Sequence, residues 1–473
     1  MKKPSNLMIA ILLGSAVALS ACGGASNAGS FGSPSRTGNL SRTSAHQQSY
    51  TYPITHIVLI VQENRSFNNL FATFPGVEGT TTGLERIGHG TKSKQVPINL
   101  TEVNLVDPKD LNHLYSAYKT AYDNGNMDSF NRIKRETTQQ EEGALPYQYV
   151  NPDQVQPYWT MATDYALADH LFQTQGSGSF TAHQDLIRGG TEIDSTESLI
   201  DDPSSSAAWG CSSPPGTKTS LITTSLKLER RKGPFPCTNA FPSSGSSYET
   251  LADLLDGANV SWKYYTPAPK NSTTGALWNA FLVINSIYSN KSEWSERISS
   301  PQTNVLKDIA SGNLPAMSWV IPDALESDHP GYKSDRGPSW VASVVNAVGA
   351  SSYWSSTAVI VVWDDWGGLY DSVAPSPLDT QGGPGFRVGM IVASPYVPPN
   401  EISHTVYGFG SIIKFIEETW NLGSLGTTDA TSTSISNMFD FTQKPRSFKV
   451  IPAKYSRSFF LHQKPSGLPV DTE

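Results

Sequence analysis

Four short runs dense in valine and isoleucine set the strongest limit on the fold. They cover residues 57–61, 317–321, 358–363 and 388–393, and residues 260–265 are a candidate fifth run. Strands with one wet face alternate apolar and polar residues, whereas these runs are apolar almost throughout. That pattern is typical of a parallel sheet covered on both faces. We therefore expect a central sheet of buried strands.

Apolar residues with helical spacing stand between and after these runs. Two sets each mark one helical face: Leu251, Leu254, Leu255 and Ala258, and then Ile412, Phe415, Ile416 and Trp420. Strands that alternate with helices predict an α/β sandwich.

Polar side chains follow two of the predicted strands directly. Glu63 and Asn64 come after the first, and Asp364 and Asp365 come after the third. Ligands of open α/β sheets bind outside the carboxyl ends of the strands, so the two pairs are expected to meet. Four oxygen donors suit one hard divalent ion, Mg²⁺, Ca²⁺ or Mn²⁺. Each pair taken alone is also compatible with an ordinary turn.

The segment QGSGSFTAHQDLIRGGT, residues 175–191, predicts a tight glycine turn that opens a helix. Ser179 would stand at the helix start, where free N–H groups favour an anion. A hydroxyl there, beside a cation, can attack phosphorus. The alternative is a helix-capping serine. His183, four residues later, would lie on the same helical face.

Three further histidines stand in polar segments, at His113, His329 and His404. Imidazoles in such places can hold phosphate oxygens or protonate a leaving alkoxide. Taken singly, each is equally compatible with a surface or capping role.

The amino terminus has the pattern of an export signal. Lys2 and Lys3 precede a short apolar run at 7–19, and Leu-Ser-Ala-Cys follows, ending at Cys22. These four residues resemble the lipobox of bacterial lipoproteins. The resemblance implies that residues 1–21 are removed, and that lipid on Cys22 anchors an exported protein to a membrane, in the periplasm or at the cell surface. The alternative is a secretory signal with an unrelated cysteine.

Composition divides the remaining chain. Residues 22–50, rich in serine and glycine, predict a flexible tether, and residues 51–473 a single domain. Within it, residues 192–248 are expected to form a long irregular insertion, which is a lid, a binding loop or a partly disordered segment. The insertion holds Cys211 and Cys237, which predict one disulfide in an oxidising compartment, or else two separate thiols. The net charge of −8 argues against a nucleic-acid partner.

Several motifs occur in an order that resembles a known family. They are ENRSF, GSGSFTAH, SDHPGY, WDDWGGLYDSV, and GFRVGMIVASPYV followed by HTVYGFGSIIKFIEETW. The chain from about residue 53 to 422 resembles the bacterial phosphoesterase family of acid phosphatases and phospholipases C, which includes the plant non-specific phospholipases C. The resemblance implies an alkaline-phosphatase-like three-layer α/β/α sandwich with a mostly parallel central sheet.

The resemblance also implies roles for individual residues. Metal ligands would be Glu63, Asn64, Asp364 and Asp365. Ser179 would be the nucleophile that becomes phosphorylated, and His113 and His329 would line the phosphate pocket. As our own hypothesis, His329, and next His113, donates the proton to the leaving group. Substrate contacts are expected from Arg65, His183 and His404.

The sequence leaves two functions open. One is a metal-dependent hydrolase of phosphate esters or phospholipids. The other is a surface lipoprotein that keeps the fold and binds metal or ligand without turnover. Histidines that are usual in the family but absent here favour the second, and Lys119, Trp366 and Ser372 stand in their places. Asn68, where the family commonly has Asp, is a further departure. The retained serine and acidic residues favour the first.

Overall fold

The structure is a computed structural model that describes residues 50–204, 210–238, 248–267 and 278–468. The strands are β1 His56–Gln62, β2 Thr82–Ile87, β3 Lys94–Asn99, β4 Thr101–Val103, β5 Gln148–Val150, β6 Ala166–Phe172, β7 Glu197–Ile200, β8 Ser220–Thr223, β9 Leu228–Glu229, β10 Trp262–Tyr265, β11 Ile298–Ser299, β12 Met317–Val320, β13 Thr357–Trp363, β14 Arg387–Ala393, β15 Glu401–Ser403 and β16 Tyr407–Gly408. The α-helices are α1 Phe67–Phe71, α2 Tyr115–Tyr122, α3 Gln156–Asp164, α4 Ser179–Arg188, α5 Leu251–Gly257, α6 Asn285–Tyr288, α7 Lys291–Arg297, α8 Asn304–Ser311, α9 Gly337–Gly349, α10 Phe409–Trp420 and α11 Arg457–His462.

A nine-stranded sheet forms the centre of the fold. Its order is β11-β10-β12-β1-β13-β14-β6-β15, with β16 also paired to β6. Strand β14 runs antiparallel to both of its neighbours, and the other pairs are parallel. The dense apolar run that becomes β14 predicted burial correctly, because every residue of β14 is buried. Such a run indicates that both faces of the strand are covered, but it does not indicate whether the strand runs parallel or antiparallel to its neighbours.

Helices cover both faces of this sheet. Register pairs Leu59 with Trp319 on β12 and with Ile360 on β13, so these three side chains share one face. Trp363, three residues beyond Ile360, points to the other face. The Trp319 indole donates to a carbonyl of α4, whereas the Trp363 ring packs edge-on against Tyr158 of α3. Helices α3 and α4 therefore lie on opposite faces, which confirms the α/β/α sandwich.

The predicted elements are present, with small shifts at their ends. The five apolar runs become β1, β10, β12, β13 and β14, and the two helical faces become α5 and α10. Strand β6 was not predicted. Its sequence, ALADHLF, has Asp169 and His170 in the middle of an otherwise apolar run, and these polar residues mask the strand pattern.

The insertion at 192–248 is more ordered than its composition suggests. The prediction of an irregular segment was wrong for part of it, because β7, β8 and β9 form an antiparallel sheet there. Cys211 and Cys237 form a disulfide, as expected. The predicted signal peptide, Cys22 and nearly all of the tether fall within residues 1–49, outside the described residues. None of the helices within the described ranges combines the length and apolarity that a bilayer crossing requires.

Replacing Cys211 and Cys237 together by serine should lower the free energy of unfolding by about 3 kcal/mol. The bridge joins residues 26 apart in sequence and restricts the unfolded chain by that loop. Urea unfolding measures the change, and wild-type protein unfolded with reductant should show the same loss. Equal unfolding midpoints for the variant and the oxidised wild type would contradict the expectation.

Candidate functional site

Two acidic strand ends meet at one edge of the sheet. Register places Gln62, the last residue of β1, beside Trp363, the last residue of β13. The residues that follow them are therefore neighbours, and the backbone N–H of Asn64 donates to Asp364 Oδ1 at 2.9 Å. All four side chains of the two pairs, Glu63, Asn64, Asp364 and Asp365, are fully buried. The predicted convergence is confirmed.

The backbone at this edge is tightly fitted. Asn64 has φ 57°, a left-handed conformation that asparagine tolerates better than most residues. Gly367 has φ 58°, and a Cβ placed on it would lie 2.1 Å from the Asn64 carbonyl oxygen. Gly367, the first glycine of WDDWGG, has no Cβ, so the loops that follow β1 and β13 can touch.

Gly367→Ala should therefore disturb the position of Asn64 and reduce both stability and activity. Left-handed backbone alone costs roughly 1 kcal/mol for alanine, and the contact with the Asn64 carbonyl adds to that. Gly312→Ala is the matched control, because Gly312 has φ 76° with no atom within 4 Å of the added Cβ. Thermal unfolding and turnover should show a larger loss for Gly367→Ala. Equal losses in the two variants would mean that the close contact has no effect.

Ser179 lies at the same edge of the sheet. Strand β6 runs parallel to β1, since β14 is antiparallel to both β13 and β6. After β6 the chain turns, and α4 begins at Ser179 with Gly178 as its N-cap. The Ser179 hydroxyl donates to Asp365 Oδ2 at 3.1 Å, across 186 residues of sequence. A buried hydroxyl thus stands at a helix N-terminus and beside a carboxylate.

The two aspartates use their oxygens differently. Asp364 Oδ1 accepts from the amides of Asn64 and Asp365, whereas Oδ2 is buried and has no hydrogen-bond partner. Asp365 Oδ1 accepts from the amide of Gly367, and Oδ2 faces Ser179. Asp364 therefore has one oxygen left for a cation, and Asp365 has one oxygen engaged with the hydroxyl.

His113 fixes the orientation of the side-chain amide of Asn64. Its Nδ1 lies 2.7 Å from the Leu111 carbonyl, to which it donates. Its Nε2 lies 2.9 Å from Asn64 Nδ2 and 3.5 Å from Asp365 Oδ2. Asn64 Oδ1 is consequently left buried without a hydrogen-bond partner. The Trp366 indole donates to the His113 carbonyl at 3.2 Å and so holds the segment that carries this histidine.

His183 completes a group of metal-binding character. Its Nε2 lies 3.1 Å from Glu63 Oε1 and 3.7 Å from Asp364 Oδ2. One ligand atom from each of these residues lies within 4.8 Å of the others, and all three residues are buried. Sequence reasoning predicted four oxygen ligands and placed His183 with the substrate. The structure instead puts an imidazole among the carboxylates.

These residues fit a divalent ion. Two buried oxygens, Asp364 Oδ2 and Asn64 Oδ1, lack hydrogen-bond partners next to a carboxylate and an imidazole. Buried oxygens without partners are costly unless something binds them. A set of oxygens with one nitrogen suits Zn²⁺ or Mn²⁺ better than Ca²⁺.

His329 lies in the loop after β12. This loop is joined to the site, because the Glu63 amide donates to the Ser327 carbonyl at 2.8 Å. His329 Nδ1 donates to the Pro330 carbonyl at 2.7 Å, and its ring lies near those of Trp278 and Tyr332. Its role as proton donor stays a prediction.

Arg65 contacts the loops behind the site, and its role in substrate binding stays a prediction. Its guanidinium donates to the carbonyls of Asp328 and Leu105 and to Asn69 Oδ1. Complete burial lowers its pKa to about 10. These hydrogen bonds use three of the five N–H donors of the guanidinium, so Arg65 braces the loops behind the site.

His404 is also placed differently from our expectation. Its ring is largely exposed, and Nδ1 lies 2.9 Å from Asp169 Oδ2 on β6. Together with Asp169 and His170 it forms a second group, which shares no residue with the group around Glu63. The reason is topological, since residues 404–406 connect β15 to β16 beside the middle of β6.

Comparison with known proteins gives one family. The sequence model of the Phosphoesterase family matches residues 54–423. The chain is 24% identical over 425 residues to the non-hemolytic phospholipase C of Pseudomonas aeruginosa, covering 77% of this chain and 54% of that protein. Phospholipase C A of Mycobacterium tuberculosis is 22% identical, with 83% and 78% covered. Non-specific phospholipase C6 of Arabidopsis thaliana is 28% identical over 174 residues, with 30% and 33% covered.

The matches cover different fractions of the related proteins. The chain spans about half the length of the Pseudomonas protein. Among solved structures, a protein of the alkaline phosphatase superfamily from Vibrio parahaemolyticus aligns with a TM-score of 0.35 and 10% identity, covering 81% of this chain and 72% of that one.

Proposed function

Because the chain belongs to the Phosphoesterase family, we propose that it hydrolyses phosphate esters, with a divalent metal ion and a phosphoserine intermediate at Ser179. One observation carries the proposal. The Ser179 hydroxyl, at the start of α4, lies 3.1 Å from Asp365 and beside the buried Glu63–His183–Asp364 group. A nucleophile, a proton acceptor and an anion-favouring helix end thus face one point.

Metal ligands in this proposal are Glu63, Asn64, Asp364 and His183. When bound, the ion would neutralise phosphate charge and lower the pKa of the serine hydroxyl. Asp365, predicted as a fourth oxygen ligand, has the more specific role of orienting Ser179 and accepting its proton, because its Oδ2 already receives the hydroxyl hydrogen bond.

The chain's own groups suffice to describe the two steps. Ser179 Oγ attacks phosphorus in line as its proton passes to Asp365, and the ester P–O bond breaks. The departing alkoxide takes a proton from His329, and His113 is the second candidate for this donor. Water then gives a proton to the same histidine as it attacks the phosphoserine, the Ser179 Oγ–P bond breaks, and the hydroxyl regains its proton from Asp365 as phosphate leaves.

Two substrate classes are favoured by different observations. The relatives are named phospholipases C, which favours a phospholipid whose phosphorylated head group is released. The complete burial of Ser179 favours a smaller phosphomonoester, as for an acid phosphatase. A non-catalytic binding protein is the third alternative, and the departures at Lys119 and Ser372 favour it.

A substrate panel distinguishes these candidates. The full-length protein is assayed with p-nitrophenyl phosphate, p-nitrophenyl phosphorylcholine and phosphatidylcholine, each with and without a chelator. Hydrolysis of the first alone indicates a phosphatase, and hydrolysis of the last two a phospholipase C. In either case the chelator should stop turnover. Lack of hydrolysis of all three would overturn the catalytic proposal in favour of a binding role.

We also propose that the protein is exported and held at a membrane by lipid on Cys22. Cys22→Ser removes the thiol that would carry the lipid, so the variant should move from the membrane fraction to the soluble fraction after cell fractionation. Cys211→Ser is the matched control and should stay with membranes. Unchanged membrane association of Cys22→Ser would contradict the anchor.

A further inference from the structure

Strand β6 is irregular at its centre, where Asp169 and His170 stand. Pairing with β14 passes from Ala168–Met390 to Leu171–Val388, so two residues of β6 face the single residue Gly389. Such a β-bulge redirects side chains that would otherwise point to opposite faces of the sheet. Asp169 and His170, consecutive in sequence, are thereby close enough for Oδ1 and Nδ1 to lie 2.7 Å apart.

The other neighbour of β6 is interrupted at the same place. Strand β15 pairs with residues 166–168, and β16 pairs with residues 171–172. The chain between them, residues 404–406, leaves the ladder beside the bulge. His404 turns back from this connection, and its Nδ1 lies 2.9 Å from Asp169 Oδ2. Two separate irregularities therefore converge on one carboxylate.

Glu78 supports the cluster from a third segment. Its amide donates to Asp169 Oδ2 at 3.0 Å, and its carboxylate lies 3.2 Å from His170 Nε2. The ligand atoms of Asp169, His170 and His404 all lie within 4.8 Å of one another. Asp169 is buried, whereas the His404 side chain is 61% exposed. The cluster thus has a fixed carboxylate inside and an imidazole at the entrance from solvent.

We propose that Asp169, His170 and His404 bind a zinc-class divalent metal ion, at a site separate from the one beside Ser179. Two imidazoles and one carboxylate form a ligand set that zinc sites use, with a position left for water. The contact of Glu78 with the far nitrogen of His170 matches the carboxylate–histidine–metal arrangement that orients such ligands. The bound ion would replace the protons that now join the two Nδ1 atoms to Asp169.

The ion would join three segments: the loop that contains Glu78, the centre of β6, and the connection that leads into α10. Strand β6 continues into the turn that carries Ser179, so binding is expected to stabilise the fold around that turn. The proposal does not depend on the reaction at Ser179, because the two groups share no residue.

Zinc binding by the full-length protein tests the proposal. The protein is freed of metal with a chelator and dialysed against Zn²⁺, and its zinc content and thermal unfolding are measured. A His183→Ala background weakens the other site. In that background we expect one bound zinc ion and a raised Tm, and adding His404→Ala should weaken zinc binding at least about tenfold. His462→Ala, which replaces an exposed histidine of α11, is the control and should have no effect.

Two further measurements are independent of the folding of the double variants. The single variant His404→Ala should hold one zinc ion fewer per chain than the wild type. Glu78→Gln should keep the three ligands and weaken zinc binding by about 10- to 100-fold. Equal zinc content and affinity in the wild type, His404→Ala and Glu78→Gln would overturn the proposal.

Discussion

Ser179→Ala should abolish turnover of p-nitrophenyl phosphate, lowering kcat by about 10⁴-fold or more. The substitution removes the one oxygen that stands both at the start of α4 and 3.1 Å from Asp365. The methyl side chain fills a similar space, so the fold should persist. Metal binding should persist too, because the proposed ligands are untouched. Steady-state kinetics with each substrate of the panel measures the loss.

Ser177→Ala is the matched control for this prediction. Ser177 stands in the same turn, but its hydroxyl bonds with Asp201 instead of a residue of the site. The kcat of Ser177→Ala should stay within about tenfold of the wild type, since the hydrogen bonds that it loses join Asp201 and no residue of the site. Similar activities for Ser179→Ala and the wild type would refute the role of Ser179, and equal losses in both serine variants would point to a structural effect of the turn.

Glu63→Gln should have the second largest effect, a loss of bound metal and a fall in kcat of about 10³-fold. The glutamine keeps the size of the side chain and removes the negative charge beside His183 and Asp364. An ion that stabilises transition-state charge contributes several kcal/mol, and about 4 kcal/mol corresponds to this factor. Elemental analysis gives the metal content, and kinetics give the rate.

Glu102→Gln provides the control, because Glu102 is an exposed residue of β4. It should keep the metal and the activity of the wild type. The two losses in Glu63→Gln, of metal and of activity, should occur together. Full activity in metal-free Glu63→Gln would show that hydrolysis does not need this group.

The convergence of the strand ends could be predicted because it depends on local patterns alone. Dense apolar runs identify buried strands, and the residues that follow parallel strands share an edge. Glu63 and Asp364 are adjacent for this reason, although 301 positions separate them in the sequence. The start of α4 at Ser179 follows from the glycines before it.

The side-chain partners of the site could not be predicted in this way. Helical spacing places His183 on the same face as Ser179, but only the packing of α4 on the sheet brings its Nε2 to Glu63. Arg65 adjoins the site in sequence, yet the turn at Asn64 directs its side chain to the loops behind. Neighbours in sequence point in different directions at a turn, so proximity along the chain was misleading.

The missed strand has a different cause. Two polar residues, Asp169 and His170, interrupt the apolar run of β6, and a period-two pattern does not anticipate a bulge. The break between β15 and β16, beside this part of β6, places His404 at the second cluster. A carboxylate and a histidine side by side within an apolar run were the available signal for this cluster.

The central claim is that the hydroxyl of Ser179 is the atom that accepts the phosphoryl group. The most direct measurement is an acid quench of the full-length protein during turnover of p-nitrophenyl phosphate, followed by mass spectrometry of its peptides. We expect one phosphoryl group on Ser179 in the wild type and none in Ser179→Ala. A phosphoryl group on another residue, or turnover without any phosphorylated peptide, would contradict it.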